Sequence, residues 1–240
     1  MRGSGVMNPD WNGLTSRTVF CLWTGSEILS ENRLKALWSI FNNTGRPVAF
    51  VTQETLNEWV VQGSPMHPAY PYLSSTHKSD YLRCYLMHHF GGGYSDIKQT
   101  TARWEPFFAQ LEQSEDSLAL GYTELPHGIP HVHGEFGDQI RAAHQELIGL
   151  CSFIFKPKTQ LTTKWYEQLH DLLDQKFELL KDNPGKFPLD QTDLVLPDGS
   201  SSSYPLRWAE ILGEILHPLL YEFRDRLIKA PIAPKFRDYR

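Results

Sequence analysis

The sequence is poor in the features that mark secretion, membrane insertion or nucleic-acid binding. It has only three cysteines in 240 residues, Cys21, Cys84 and Cys151, each in an apolar context and without a paired spacing. That pattern excludes a disulfide framework and reads as free thiols buried in a reducing cytoplasm. No apolar run approaches the roughly 20 residues that span a bilayer, and no charged-then-apolar leader opens the chain. The expectation is a soluble, cytoplasmic protein with at most peripheral membrane contact. Basic surplus is also missing: the net charge is -5, so no nucleic-acid partner is expected.

What the chain does have is a core. With 40% hydrophobic and 12% aromatic residues it can fill one sizeable interior and is short for two. The expectation is a single domain over 1–240, with 1–16 (opening MRGSG) frayed or an expression remnant and 222–240 a basic C-terminal tail.

The first core element is Thr18 to Trp23 (TVFCLW), a buried strand that runs into Thr24-Gly25. Ser30 then caps a helix to about Asn43, with Leu34, Leu37, Trp38 and Phe41 on its inner face and Gly45 as its stop. Pro47 opens a second strand, VAFVT. Strand, helix and strand within this span predict an α/β fold with a mostly parallel central sheet flanked by helices. Further along, Ser117 to Tyr122 and Leu150 to Phe155 read as strands and Trp104 to Glu112 and Leu161 to Lys181 as helices. Glu124 to Asp138 and Asn183 to Tyr204 read as loops, and Trp208 to Leu216 as a helix broken at His217-Pro218.

The densest stretch is Lys78 to Lys98, KSDYLRCYLMHHFGGGYSDIK. Leu82, Tyr85, Leu86 and Phe90 follow helical spacing, with Ser79 as the cap and Asp80 in the first turn, on the same flank as Arg83. Gly91, Gly92 and Gly93 stop the helix, and Gly92, Gly93 and the following Tyr94 are candidate substrate-binding positions because the glycines allow close backbone approach. A short strand with Tyr94 follows and ends at Asp96, the usual place for a ligand-handling carboxylate in an α/β sheet. Taken singly, Asp80 and Arg83 read as a surface ion pair, and Tyr94 and Trp23 as core aromatics.

In combination, Ser79, Asp80, Arg83, Gly91, Gly92, Tyr94 and Asp96 resemble, in order and spacing, the Asp-x-Asp sugar-transferase superfamily. That superfamily includes initiating mannosyltransferases, clostridial glucosylating toxins and capsule-synthesis proteins. The resemblance implies a GT-A-like nucleotide-binding fold and a hexosyltransferase. Its donor would be a nucleotide-sugar, UDP-linked. Its acceptor would be a saccharide or a lipid-linked saccharide, in the biosynthesis of surface or capsular polysaccharide, with the anomeric configuration retained. It implies that Asp80 and Arg83 contact the donor sugar and that Asp96 contacts the nucleotide and its metal. Trp23 and Thr24, at the end of the first strand, would lie beside the base. His217 would approach the diphosphate, as late histidines do in related transferases.

One position departs from the pattern. Where the family places the second aspartate this chain has Lys98, and an ammonium has no lone pair to offer Mn2+ or Mg2+. Either Lys98 points into the cleft and supplies the positive charge itself, or Asp96 holds a metal with a remote residue and Lys98 turns outward. The charge balance favours weak or absent metal dependence. His127, His131 and His133 with Glu124 and Glu135 match no standard zinc spacing and read instead as an acceptor-side loop or lid. Two rival functions stand beside transfer. One is a non-catalytic nucleotide-sugar or saccharide-binding relative; the other is a nucleotide-sugar hydrolase, disfavoured because the acidic cluster needed for a metal-activated water is missing.

Overall fold

The computed structural model describes residues 17–25, 28–130, 132 and 134–238. The expectations for 1–16, and for His131 and His133, therefore lie outside the described residues.

Six strands form one sheet in the order β2-β1-β3-β5-β4-β6. They are β1 (Val19–Trp23), β2 (Val48–Thr52), β3 (Gly92–Ser95), β4 (Ala119–Thr123), β5 (Ile148–Phe155) and β6 (Leu227–Lys229). β1 pairs in parallel with β2 and β3, and β4 with β6, whereas β5 is antiparallel to both β3 and β4. β5 therefore runs against the other five, and the expected α/β fold with a mostly parallel sheet holds. The helices are α1 (Glu31–Asn43), α2 (Ser75–His89), α3 (Glu105–Gln113), α4 (Gly134–Ala142), α5 (Gln160–Asp182) and α6 (Gly213–Glu222).

β1 shows why the sheet is covered on both faces. Val19 and Cys21 point to a core shared with α1 and α3, while Phe20 and Leu22 point to a larger one shared with α2, α5 and α6. Alternation of period two, with both faces apolar, is what a doubly covered strand requires. The chain leaves β1 for β2 on one side and later returns to β3 on the other. That reversal opens a crevice at the carboxyl ends of β1 and β3.

Several expected elements shift. In α1 the face against the sheet is Ala36, Leu37 and Ile40, while Leu34, Trp38 and Phe41 are exposed. The small Ala36 lets the helix approach, and the aromatic stripe turns to solvent. α2 begins a turn earlier than expected: Ser74 is its cap, accepting from the His77 N–H, so Ser79 and Asp80 lie in the second turn. Part of the expected loop after Glu124 is α4. α6 starts at Gly213 and continues through Pro218, since burial of Ile215, Leu216, Leu219 and Leu220 outweighs the one backbone bond lost. Within the basic tail, Leu227–Lys229 forms edge strand β6, and Ala230 and Ile232 are buried beneath the sheet's end. Among the described residues no helix is long and apolar enough to cross a membrane.

Candidate active site

A cleft of about 670 Å³ opens at the crevice beside β1 and β3. Its lining comes from the end of β1 (Trp23, Thr24), from α2 (Ser75, Thr76, Ser79, Arg83) and from β3 and the residues after it (Tyr94, Asp96, Lys98). Asp80 lies directly behind, 3% exposed.

Asp96 is the hub. Its Oδ1 accepts from the Tyr94 hydroxyl at 2.7 Å and lies 3.2 Å from Arg83 Nη2; its Oδ2 accepts from Lys98 Nζ at 2.8 Å. Its backbone N–H donates to the Cys151 carbonyl at 2.7 Å, which fixes the residue against β5. Burial by itself would raise the Asp96 carboxyl, but Arg83, Lys98 and the bonds from Lys98 and Tyr94 hold it well below the usual carboxylate range. Asp96 is thus a permanent anion.

Arg83 links the two aspartates. Its guanidinium lies 4.5 Å over the Tyr94 ring, and Nη1 donates to the Leu150 carbonyl at 3.3 Å. Nη2 lies 3.5 Å from Asp80 Oδ1. Its Nε is buried without a partner, an unspent donor on a side chain that lines the cleft. Asp80 behaves differently from Asp96. Burial pushes its carboxyl up to about 7, Arg83 offsets this in part, and the Asp96 charge adds to the rise.

Lys98 points inward, its side chain 10% exposed. Besides Asp96 its ammonium donates to Cys151 Sγ at 3.1 Å and lies 5.4 Å over the Phe236 ring. Burial would lower its pKa, but Asp96 and Cys151 reverse the shift and keep it charged. Phe236 belongs to the tail, which Lys235 fixes by donating its N–H to the Gln99 carbonyl at 2.8 Å.

A divalent cation suits this centre poorly. The Asp96 carboxylate already serves three donors, two of them cationic, and a dication there would be repelled by Arg83 and Lys98. Among the described residues no group of three His, Cys, Asp or Glu could hold a metal. In the Glu124 to Asp138 segment, Glu124 is buried, whereas His127 and Glu135 are exposed.

The structure thus brings Trp23, Thr24, Arg83, Tyr94, Asp96 and Lys98 to one cleft, with Asp80 behind them. Three expected substrate-binding residues lie elsewhere. Gly92 and Gly93 are buried in β3, where a Cβ at Gly93 would come within 3.1 Å of Trp104 and Val19, so the glycine serves packing against α3. His217 is wholly buried: Nδ1–H donates to the Gly213 carbonyl at 3.1 Å, and Nε2 lies 2.9 Å from Glu124 Oε2. The buried Glu124 carboxylate claims the ring, which is not part of the cleft lining. Gly149 is small because the Tyr122 ring packs across it, 1.9 Å from where a Cβ would stand.

Sequence reasoning missed other lining groups. Arg33 of α1 donates to the Ile97 carbonyl at 2.6 Å and brings a third cation to the wall. Ser75 and Thr76 join once the helix start moves to Ser74. Phe187, Pro188, Leu189 and Trp208 form an apolar rim from the segment before α6. The apolar triplet at 187–189 inside a polar, Gly- and Pro-containing loop was the available signal.

No family model and no curated protein matches the chain. Among solved structures, one titled "PaToxG Glycosyltransferase" is similar at a TM-score of 0.41 and 11% identity, covering 71% of this chain and 65% of that one. The chain therefore spans a little under two thirds of that structure's length.

Proposed function

We propose that the cleft binds a nucleotide diphosphate sugar, UDP-linked, and transfers its sugar to a saccharide or lipid-linked saccharide acceptor in surface-polysaccharide assembly. The observation that carries this reading is the charge arrangement around Asp96. Three cations, Arg33, Arg83 and Lys98, line one cleft at a topological switch point, around the ionised Asp96. A diphosphate is a ligand that guanidinium and ammonium groups lining one cleft suit.

In this reading Lys98 and Arg33 take the charge that builds on the departing diphosphate, as fixed cations in a partly dry site. No metal is assigned a step. Arg83 turns its spare Nε toward the donor sugar or phosphate, and Asp80 accepts from sugar hydroxyls. Asp96 sets the Arg83 and Lys98 side chains and contacts the ribose. No protein nucleophile is assigned a step: the leaving phosphate oxygen takes the acceptor's proton, and configuration is retained, as the superfamily resemblance implies.

Titration calorimetry tests this. UDP and UDP-sugars should bind the wild-type protein in the presence of chelator, and Asp96→Asn should bind them at least tenfold more weakly. Equal binding by the variant would remove Asp96 from the centre. Binding without any donor turnover would support a non-catalytic relative instead.

A further inference from the structure

The apolar rim of the cleft is formed by Phe187, Pro188, Leu189 and Trp208. Phe187, Leu189 and Trp208 are 44%, 53% and 46% exposed, yet all three line the cleft. Their exposure does not come from a slack backbone. The Pro188 carbonyl accepts from both the N–H and the hydroxyl of Thr76, at 3.0 and 2.9 Å, and the Gly185 N–H donates to the Tyr72 carbonyl at 2.9 Å. On the other side, the carbonyl before Trp208 accepts from Nε2 of the wholly buried His77 at 3.1 Å, and the Arg207 N–H donates to Glu210 at 2.8 Å. Both halves of the rim are thereby fixed to the first turn of α2.

Hydroxyls line the same cleft. Thr24 donates its hydroxyl proton to the Ser75 carbonyl at 2.5 Å, and Thr76 donates its proton to Pro188. With their protons committed inside the protein, both oxygens retain lone pairs for O–H groups of a ligand. An exposed aromatic ring and hydroxyl acceptors lining one cleft suit a pyranose, which offers a C–H face and hydroxyl donors around its rim.

We propose that Trp208 is the platform on which the acceptor's pyranose ring stacks, with Thr76 accepting from its hydroxyls. The proposal rests on the reading of the Asp96 end as the donor site, which leaves the apolar rim for the acceptor. Trp208 is then a specificity-determining residue that selects a sugar acceptor over a peptide or an aliphatic alcohol.

The test is saturation-transfer NMR with methyl β-glucoside and maltose as probes, on the full chain without any donor. Wild-type protein should saturate the ring C–H protons of at least one probe. Trp208→Ala should weaken that binding about 2- to 12-fold, the loss of one aromatic contact. Trp208→Phe, which keeps a ring, should restore it, and Trp38→Ala, on the exposed face of α1, should leave it unchanged. Three results would overturn the proposal: no probe binding to wild type, equal binding by Trp208→Ala, or a Trp208→Ala variant that loses UDP while retaining the sugars. The donor reading fails separately, through absence of UDP binding to wild type; Trp208-dependent sugar binding in that case upholds the platform.

Discussion

Replacing Lys98 by methionine removes a charge from the centre while keeping most of the side chain's bulk. The stem is buried and the ammonium lies 2.8 Å from Asp96 Oδ2, so the change acts on stability and on ligand binding together. For stability, leaving a buried charge wholly unpaired costs about 3–5 kcal/mol. Asp96 retains Arg83 at 3.2 Å and Tyr94 at 2.7 Å, so the expected loss is smaller, about 1–2 kcal/mol. For binding, a phosphate about 4 Å from the ammonium gains about 4 kcal/mol at an effective dielectric of about 20, before desolvation is subtracted. A net charged hydrogen bond of about 1.5–3 kcal/mol remains, which corresponds to roughly 10- to 150-fold in affinity. Calorimetry with UDP and UMP isolates the term, because UMP lacks the second phosphate. Lys98→Met should lose UDP affinity by that factor while UMP changes less than about twofold. Equal losses for both nucleotides would place Lys98 on the nucleoside side, and no loss for either would refute its role with the diphosphate.

Asp80 should impose a pH dependence on donor binding. Its carboxyl is pushed up to about 7, so UDP-sugar affinity should rise with pH through that value as the group ionises, and the rise should vanish in Asp80→Asn. A cluster on α2 and α5 should control acid stability. His89 and His170, each lowered to about 4 chiefly by burial, bind fewer protons in the folded than in the unfolded state, where the ordinary value is 6.5. Their contribution is complete above pH 6.5 and is lost as pH falls toward 4; discounted for screening at the half-exposed His170, it amounts to about 2 kcal/mol for the pair. Urea melts at pH 7.5 and 5.0 should show the loss, and His170→Phe should flatten the slope; an unchanged slope in the variant would count against it. Gly91 has φ +61°, and a Cβ there would stand 2.5 Å from Pro157 Cδ and 2.8 Å from the Phe155 carbonyl oxygen. Gly91→Ala should cost about 2 kcal/mol or more, seen as a fall of about 4–8 °C in Tm.

The parts of the site that could be read from the sequence are those the chain makes locally. Arg83, Tyr94, Asp96 and Lys98 fall within 16 consecutive positions, and a helix, a glycine stop and a strand suffice to bring them together. Parts assembled over distance were hidden. Phe187 and Trp208 reach the cleft only because Thr76 and His77 bind backbone carbonyls more than 110 residues away. His217 was drawn from the cleft by Glu124, 93 residues before it. In α1, helical spacing identified Leu37 but not the side the helix would present, since Ala36 and Ile40 make an equally regular stripe beside Trp38 and Phe41. The inward turn of Lys98 needed the structure, because only the packing of Cys151 and Phe236 decides between the two orientations the sequence left open.

In the proposed reaction Lys98 and Arg33 serve the diphosphate leaving group as fixed cations, without a metal. The most direct measurement is release of nucleotide diphosphate from a panel of UDP-sugars, in chelator, by wild type and by Lys98→Met. Turnover by wild type should persist in chelator and collapse in the variant. Full activity in Lys98→Met, or wild-type activity abolished by chelator, would contradict it.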